Sequence, residues 1–224
     1  MQIATLIRSG FIVIALIASA QFGAAQLPDR RTGLLELPEL RAHVEAGKMV
    51  DEFSTVVYDA PARAAKSRRV QAGEQTGRLE LKEHGYEEYS VVVLARRTVG
   101  GQRWARVALV SGSAWIPEPP GATFRSYADL VKESLAYLTE GWDGRVWDSP
   151  GGVPRVVARR QIKRPEHPAD IFEYREVNGQ LWFHVNVFSE SPCETEQPVS
   201  LISGWVPAYN ARGQWTTDFY SRGC

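Results

Sequence analysis

Two segments of this chain, Val99-Gly-Gly-Gln-Arg-Trp104 and Val177-Asn-Gly-Gln-Leu-Trp182, read as one β-hairpin used twice. A repeated supersecondary unit restricts the fold more than any composition figure does. Gly-Gly and Asn-Gly suit a two-residue primed turn, in which both central residues take positive φ, and such a turn fixes strand register. Two more matches flank each hairpin in the same order. Val57-Tyr-Asp-Ala-Pro61 pairs with Val146-Trp-Asp-Ser-Pro150 upstream, and Trp115-Ile-Pro117 with Trp205-Val-Pro207 downstream. The flanking matches are offset by 89 and 90 residues and the hairpins by 78. Each copy therefore carries a long loop in a different place: the first before its hairpin, the second after it, at Ser189 to Pro198.

Pro117-Glu-Pro-Pro-Gly121 has the composition of a stiff, extended linker. It divides the mature chain into a first domain over 36–118, a linker over 119–125 and a second domain over 126–224. Leu37 to Gly47 reads as a short helix with Pro38 at its start and Gly47 beyond its end, and Ser126 is placed to cap a second one. The fold class expected is mainly β: two tandem small β-barrels, each preceded by a short helix. Period-two alternation puts Phe183, Val185 and Val187 on the core face of the second hairpin, with Trp182, His184 and Asn186 on the outer face. The first hairpin turns Ala105, Val107 and Leu109 inward and Trp104 and Arg106 outward.

These residues resemble the bacterial SH3 family of extracytoplasmic domains, present here as two tandem SH3-like copies. The pattern is an early strand ending in a turn, a hairpin strand led by an aromatic residue, and a closing Gly-Trp-Val-Pro segment. The second copy carries Arg145-Val-Trp-Asp-Ser-Pro150, Gln180-Leu-Trp-Phe-His-Val-Asn-Val187 and Ser203-Gly-Trp-Val-Pro-Ala-Tyr209. The first carries Val56-Val-Tyr-Asp-Ala-Pro61, Arg103-Trp-Ala-Arg-Val-Ala-Leu109 and Ser113-Ala-Trp-Ile-Pro117. It departs from the pattern at Ala114 and lacks a tyrosine after Pro117. The resemblance implies a non-enzymatic module that binds a cell-wall peptide, a peptidoglycan fragment or an envelope protein. It places a groove for an extended ligand at Trp147, Trp182, Trp205, Pro207 and Tyr209, with His184 beside it, and at Tyr58, Trp104 and Pro117 in the first copy. The bland reading of the same aromatics is that small barrels need large side chains to cover their ends.

Arg8 followed by the apolar run from Phe11 and by small residues at Ala18-Ser-Ala20 and Gly23-Ala-Ala25 reads as a signal peptide over residues 1–25. The rival, an uncleaved anchor, needs roughly 20 apolar residues, more than this run provides. The protein is thus expected in the periplasm or outside the cell, with no stable membrane insertion after cleavage. The full chain has 26 Lys and Arg against 26 Asp and Glu, so losing Arg8 with the leader leaves a formal charge of −1. Such balance gives no global attraction to nucleic acid or to a membrane.

Cys193 and Cys224 are the only cysteines, and an oxidising compartment favours a disulfide between them over two free thiols. Closing a loop of about 30 residues is worth roughly 3–4 kcal/mol on the chain-entropy model. His43, His84 and His167 lack metal-site spacing, no nucleophile elbow or phosphate loop is present, and no cofactor is expected. Glu87-Glu88 and Glu194-Thr-Glu196 read as loop charges rather than a glycosidase pair. The basic stretch Arg155 to Arg164 is either a patch for an anionic polymer or headgroup or a strand and loop with neutralising neighbours. The expected function is a non-catalytic binding module. The alternatives are a structural or inhibitory subunit of an envelope complex and a small cell-wall hydrolase.

Overall fold

The computed structural model describes residues 30–156, 166–195 and 197–221. The expected signal peptide, Cys224 and most of the basic stretch lie outside these residues. The first half contains β1 (Gly33–Glu36), α1 (Pro38–Glu45), one 3-10 turn (Val50–Glu52), β2 (Ser54–Tyr58), β3 (Ser67–Gln71), β4 (Leu81–Gly85), β5 (Glu88–Val99), β6 (Gln102–Ala108), β7 (Ser113–Pro117) and β8 (Thr123–Ser126). The second contains α2 (Tyr127–Glu133), β9 (Ala136–Leu138), β10 (Arg145–Trp147), β11 (Pro154–Val156), β12 (His167–Val177), β13 (Gln180–Phe188), β14 (Ser200–Pro207) and β15 (Thr217–Phe219).

The two halves form separate antiparallel sheets with one common order. The first runs β3-β2-β7-β6-β5-β1-β8, with β4 added against β5, and the second runs β11-β10-β14-β13-β12-β9-β15. Register matches as well as order. Trp104 faces Pro117 as Trp182 faces Pro207, Tyr58 faces Trp115 as Trp147 faces Trp205, and a bulge interrupts β5 after Val93 and β12 after Ile171. Both hairpin turns have paired positive φ, 57° and 80° at Gly100-Gly101 and 53° and 71° at Asn178-Gly179. That is the primed geometry the turn residues dictate.

The repeat also extends where sequence does not show it. Phe124 of β8 lies opposite Leu35, and Phe219 of β15 lies opposite Ala136. Both phenylalanines carry a cation on the ring face, Arg96 at 4.2 Å and Lys82 at 4.8 Å.

The helices start as their residues require. Pro38 opens α1, where its missing N–H costs nothing. Ser126 caps α2, its hydroxyl accepting the Asp129 N–H at 3.1 Å. The helices do not occupy equivalent places, since α1 follows β1 whereas α2 precedes β9. The hairpin faces fall as alternation predicts: Phe183, Val185, Val187, Ala105, Val107 and Leu109 are all buried in the cores.

The expectation of closed barrels is corrected. The sheets are open rather than closed barrels. Closure would bring β3 to β8 and β11 to β15, but β8 leads directly into α2, and α2 packs against β1, β8, β12 and β15. Within the segment 119–125, β8 begins at Thr123 and pairs with β1 along its length. β1 itself runs from Gly33 to Glu36, just ahead of α1.

The first sheet is buried on both faces along β1 and β5. Leu35, Val91 and Val93 belong to a core capped by Leu37 and Leu40, while Leu34, Val92 and Leu94 belong to a second core shared with α2 and the second sheet. This accounts for the unbroken apolar run Val91 to Leu94, which alternation alone does not explain. Burial of aliphatic side chains at about 1.5–3 kcal/mol each makes the shared core a substantial bond between the units. Polar contacts close its rim. Lys82 pairs with Asp218 at 3.1 Å, and Asp218 also accepts the Tyr127 hydroxyl at 2.6 Å.

Candidate ligand-binding grooves

The ends of the repeated strands form one cleft on each unit. In the second unit β10 carries Trp147, β13 carries Trp182 and β14 ends at Pro207. Together with Trp142 and Tyr209 these line a cavity of about 470 Å³. In the first unit Tyr58 of β2 and Pro117 of β7 line an equivalent cavity of about 460 Å³. The aromatic pair at each cleft is repeated: Tyr58 meets Trp104 edge-on at 5.3 Å and 89°, and Trp147 meets Trp182 at 5.5 Å and 79°. Alternation places Trp104 and Trp182 on the outer faces, yet they are only 1% and 7% exposed. Tyr58 and Trp147, both half-buried, lie against them and carry the accessible surface. Offset and edge-on ring pairs of this kind hold aromatic rings firmly in place.

Trp205 and His184 stand apart from the second cleft. Their rings stack at 5.1 Å, and the Arg175 guanidinium lies 4.9 Å from the Trp205 ring. Trp205 is thereby buried, and His184 is half-covered with Phe172 on its other side at 5.7 Å. The first unit repeats part of this arrangement, with Arg97 lying 5.7 Å from the Trp115 ring. Of the residues singled out from sequence, the structure gathers Trp147, Trp182, Pro207 and Tyr209 into one cleft and leaves His184 and Trp205 on the adjoining strand surface.

Tyr209 closes one end of the second cleft. Its hydroxyl donates to the Arg31 carbonyl at 2.6 Å, and the Arg30 guanidinium lies 5.0 Å from its ring. Burial drives its pKa upward against the opposing pull of Arg30 and Arg31, so the phenol stays protonated. Trp142 forms the other wall, its indole N–H donating to the Arg145 carbonyl at 2.7 Å. The preceding Gly141 is required there, because a Cβ would sit 2.1 Å from the Trp215 carbonyl oxygen. Sequence reasoning passed over Trp142, whose counterpart at the offset of 89 is Phe53, a buried aromatic that lines the first cleft. The flanking glycines in Gly141-Trp-Asp-Gly144 were the available signal.

Other flagged residues lie elsewhere. His43 contacts the Met49 carbonyl at 2.9 Å and the edge of Phe53. His84 sits beside Ser90, 2.8 Å from its hydroxyl. Arg155 pairs with Asp148 at 2.8 Å and donates to the Ser203 carbonyl, so the start of the basic stretch is neutralised. Residues 157–164 lie outside the described residues. Cys193 is exposed in the long loop between β13 and β14. Its expected partner Cys224 lies outside the described residues.

Among the described residues no helix is long and apolar enough to cross a membrane. No protein-family model, no curated protein and no solved structure matches this chain.

Proposed function

We propose that this chain is an exported, non-catalytic binding module of two SH3-like units, which recognises an extended cell-wall peptide or an envelope protein at the strand ends. The observation that carries the reading is the second cleft, in which two indoles packed edge to face, a third indole, a tyrosine and a proline converge on one cavity. Rigid aromatic walls suit a ligand in polyproline II conformation, which brings a preformed backbone and little entropy to lose. In this reading Cys193 and Cys224 form a disulfide that ties the long loop to the C-terminus. The leader delivers the chain to an oxidising compartment.

The test is affinity capture from an envelope extract with the mature protein and with Trp147→Ala, a half-exposed position whose loss leaves the cores intact. Recovery of a peptide or protein by the parent, reduced several-fold in the variant, supports the module. Equal recovery by both sinks the groove.

A structural or inhibitory subunit is the second reading, and Phe172 favours it. The equivalent residue of the first unit, Leu94, is buried in the core between the units, whereas Phe172 is 50% exposed. An exposed ring at a position its copy uses for docking fits a surface that packs on another protein. Phe172→Ser abolishing capture while Trp147→Ala leaves it unchanged would favour this reading.

A further inference from the structure

The two clefts share a scaffold but are lined by different charged groups, Arg63, Arg69, Glu39 and Glu118 in the first and Arg30 and Asp143 in the second. Arg63, from the loop between β2 and β3, and Arg69 of β3 line the first cleft beside Tyr58. The Arg63 guanidinium lies 5.9 Å from the Trp104 ring, and Arg69 donates to the Ser54 hydroxyl at 3.2 Å. Among the described residues no carboxylate pairs with either guanidinium. The nearby acids are already engaged: Asp59 by Arg68 at 2.9 Å, and Glu118 by Arg96 at 2.6 Å and by Arg103 at 3.4 Å. In the second unit the Arg155–Asp148 pair at 2.8 Å repeats Arg68–Asp59, and the register position of Arg69 is held by Val156, which brings no charge. Trp142 and Tyr209 form the walls there.

We infer that the first cleft binds an acidic, extended polypeptide segment, with its carboxylates on Arg63 and Arg69 and its backbone along Tyr58 and the prolines. Guanidinium groups present paired donors that match a carboxylate. Pro117, Pro119 and Pro120 line the cleft and have no N–H to offer an anion, so recognition of charge falls to the arginines. A polypeptide is favoured over a membrane or nucleic acid because the unpaired charge is two groups in a narrow cleft. Glu39 stands on its edge and the mature chain carries no net positive charge. Polyanion surfaces are held by many cations acting together. The inference rests on the proposal that these units bind ligands at their strand ends, and it assigns the first unit a ligand of its own.

Fluorescence anisotropy with three labelled proline-rich peptides, carrying glutamate, lysine or glutamine at the same two positions, tests it on the mature protein. The glutamate peptide is expected to bind about tenfold tighter than the lysine peptide, with the preference shrinking as salt is raised. The Arg63→Ala/Arg69→Ala variant loses about tenfold for the glutamate peptide. Its melting midpoint stays unchanged, because both side chains are exposed. Glu39→Gln tightens glutamate-peptide binding.

Equal affinity for the glutamate and lysine peptides, or unchanged binding by the arginine variant, overturns the inference. So does anionic phosphatidylglycerol vesicle binding that exceeds peptide binding and depends on the same two arginines. Failure of the broader proposal reads differently: the glutamine peptide then binds neither the parent nor any variant, and capture from the envelope extract is the same for Trp147→Ala as for the parent.

Discussion

At one backbone position the two units have reached opposite solutions. Glu118 donates its N–H to the Arg103 carbonyl as Ala208 does to that of Leu181, at 2.9 and 2.8 Å. The side chains then diverge. The Glu118 carboxylate, 2% exposed, takes two bonds from Arg96 and a third contact from Arg103, and this neighbourhood holds the Arg96 pKa above its ordinary value. In the second unit the same three places hold Tyr174, Leu181 and Ala208. One unit fills the place with a paired charge and the other with uncharged side chains, the Tyr174 hydroxyl turning to Asp129 at 2.8 Å. The backbone is indifferent to the choice, so specificity at the strand ends has been free to change while the sheet has not.

The sharpest way to break that equivalence is to remove one member of the charged set. Arg96→Ala leaves Glu118 buried with only the longer Arg103 contact. The expected loss is about 2–3 kcal/mol, less than for a fully stripped buried carboxylate because Arg103 remains. Transplanting the second unit's solution as Arg96→Tyr, Arg103→Leu and Glu118→Ala removes the charge together with its partners. The triple variant is expected within about 1 kcal/mol of the parent, since replacing a whole buried ion cluster by apolar groups is often neutral or stabilising. Denaturant unfolding of both variants decides the matter. A triple variant as damaged as the single one means that the positions are not interchangeable.

A smaller asymmetry lies one strand away. Ala114 and Gly204 precede the equivalent tryptophans, but a Cβ on Gly204 would sit 2.9 Å from the Trp147 carbonyl oxygen and 3.1 Å from the Val146 Cβ. The second unit has drawn β10 and β14 together at a point where the first accommodates a methyl group. Gly204→Ala is expected to cost about 1–3 kcal/mol through this overpacking. It should also displace Trp147, with a measurable change in tryptophan emission. A silent substitution would mean that the two strand pairs are spaced alike.

The parts of this architecture legible in sequence are those set by neighbouring residues. Gly100-Gly101 and Asn178-Gly179 fix their turns locally, and alternation from Phe183 to Val187 names a core face without knowledge of what covers it. That same ignorance explains the errors. The outer position of Trp104 and Trp182 says nothing of Tyr58 and Trp147 lying over them. Val91 to Leu94 gives no sign that its second face belongs to the other unit. Phe124 and Phe219 are structural equivalents embedded in dissimilar segments, so the outermost strand pair of each sheet, and with it the openness of both, depends on contacts distant in sequence. In the second cleft, the repeated residues Trp147, Trp182 and Pro207 were found, and Trp142, which lies upstream of the matched segment and corresponds to Phe53, was not.

The smallest effect asks whether the shared core makes the two units melt as one. Each carries a histidine whose pKa burial lowers: His84 on β4 and His167 at the start of β12, the latter packed edge-on to Trp142 at 5.4 Å. Around His84 the carboxylates of Glu88 and Glu36 raise the pKa and Arg125 lowers it, but desolvation dominates. In the unfolded chain either imidazole takes up its proton near the ordinary value of 6.5, whereas the folded state resists until lower pH. The stability held by the neutral rings is therefore complete above pH 6.5 and is lost as pH falls through the lowered folded-state values. Burial raises the Asp170 pKa and acts with the opposite sign, but in the carboxylate range. A single calorimetric transition should move to lower temperature on acidification from neutrality, and either His84→Gln or His167→Gln should flatten that dependence across the whole transition. Two transitions, each answering to only one of the substitutions, would show that the core joining Leu34, Val92 and Leu94 to α2 does not couple the sheets, and that the copies remain thermodynamically separate despite their contact.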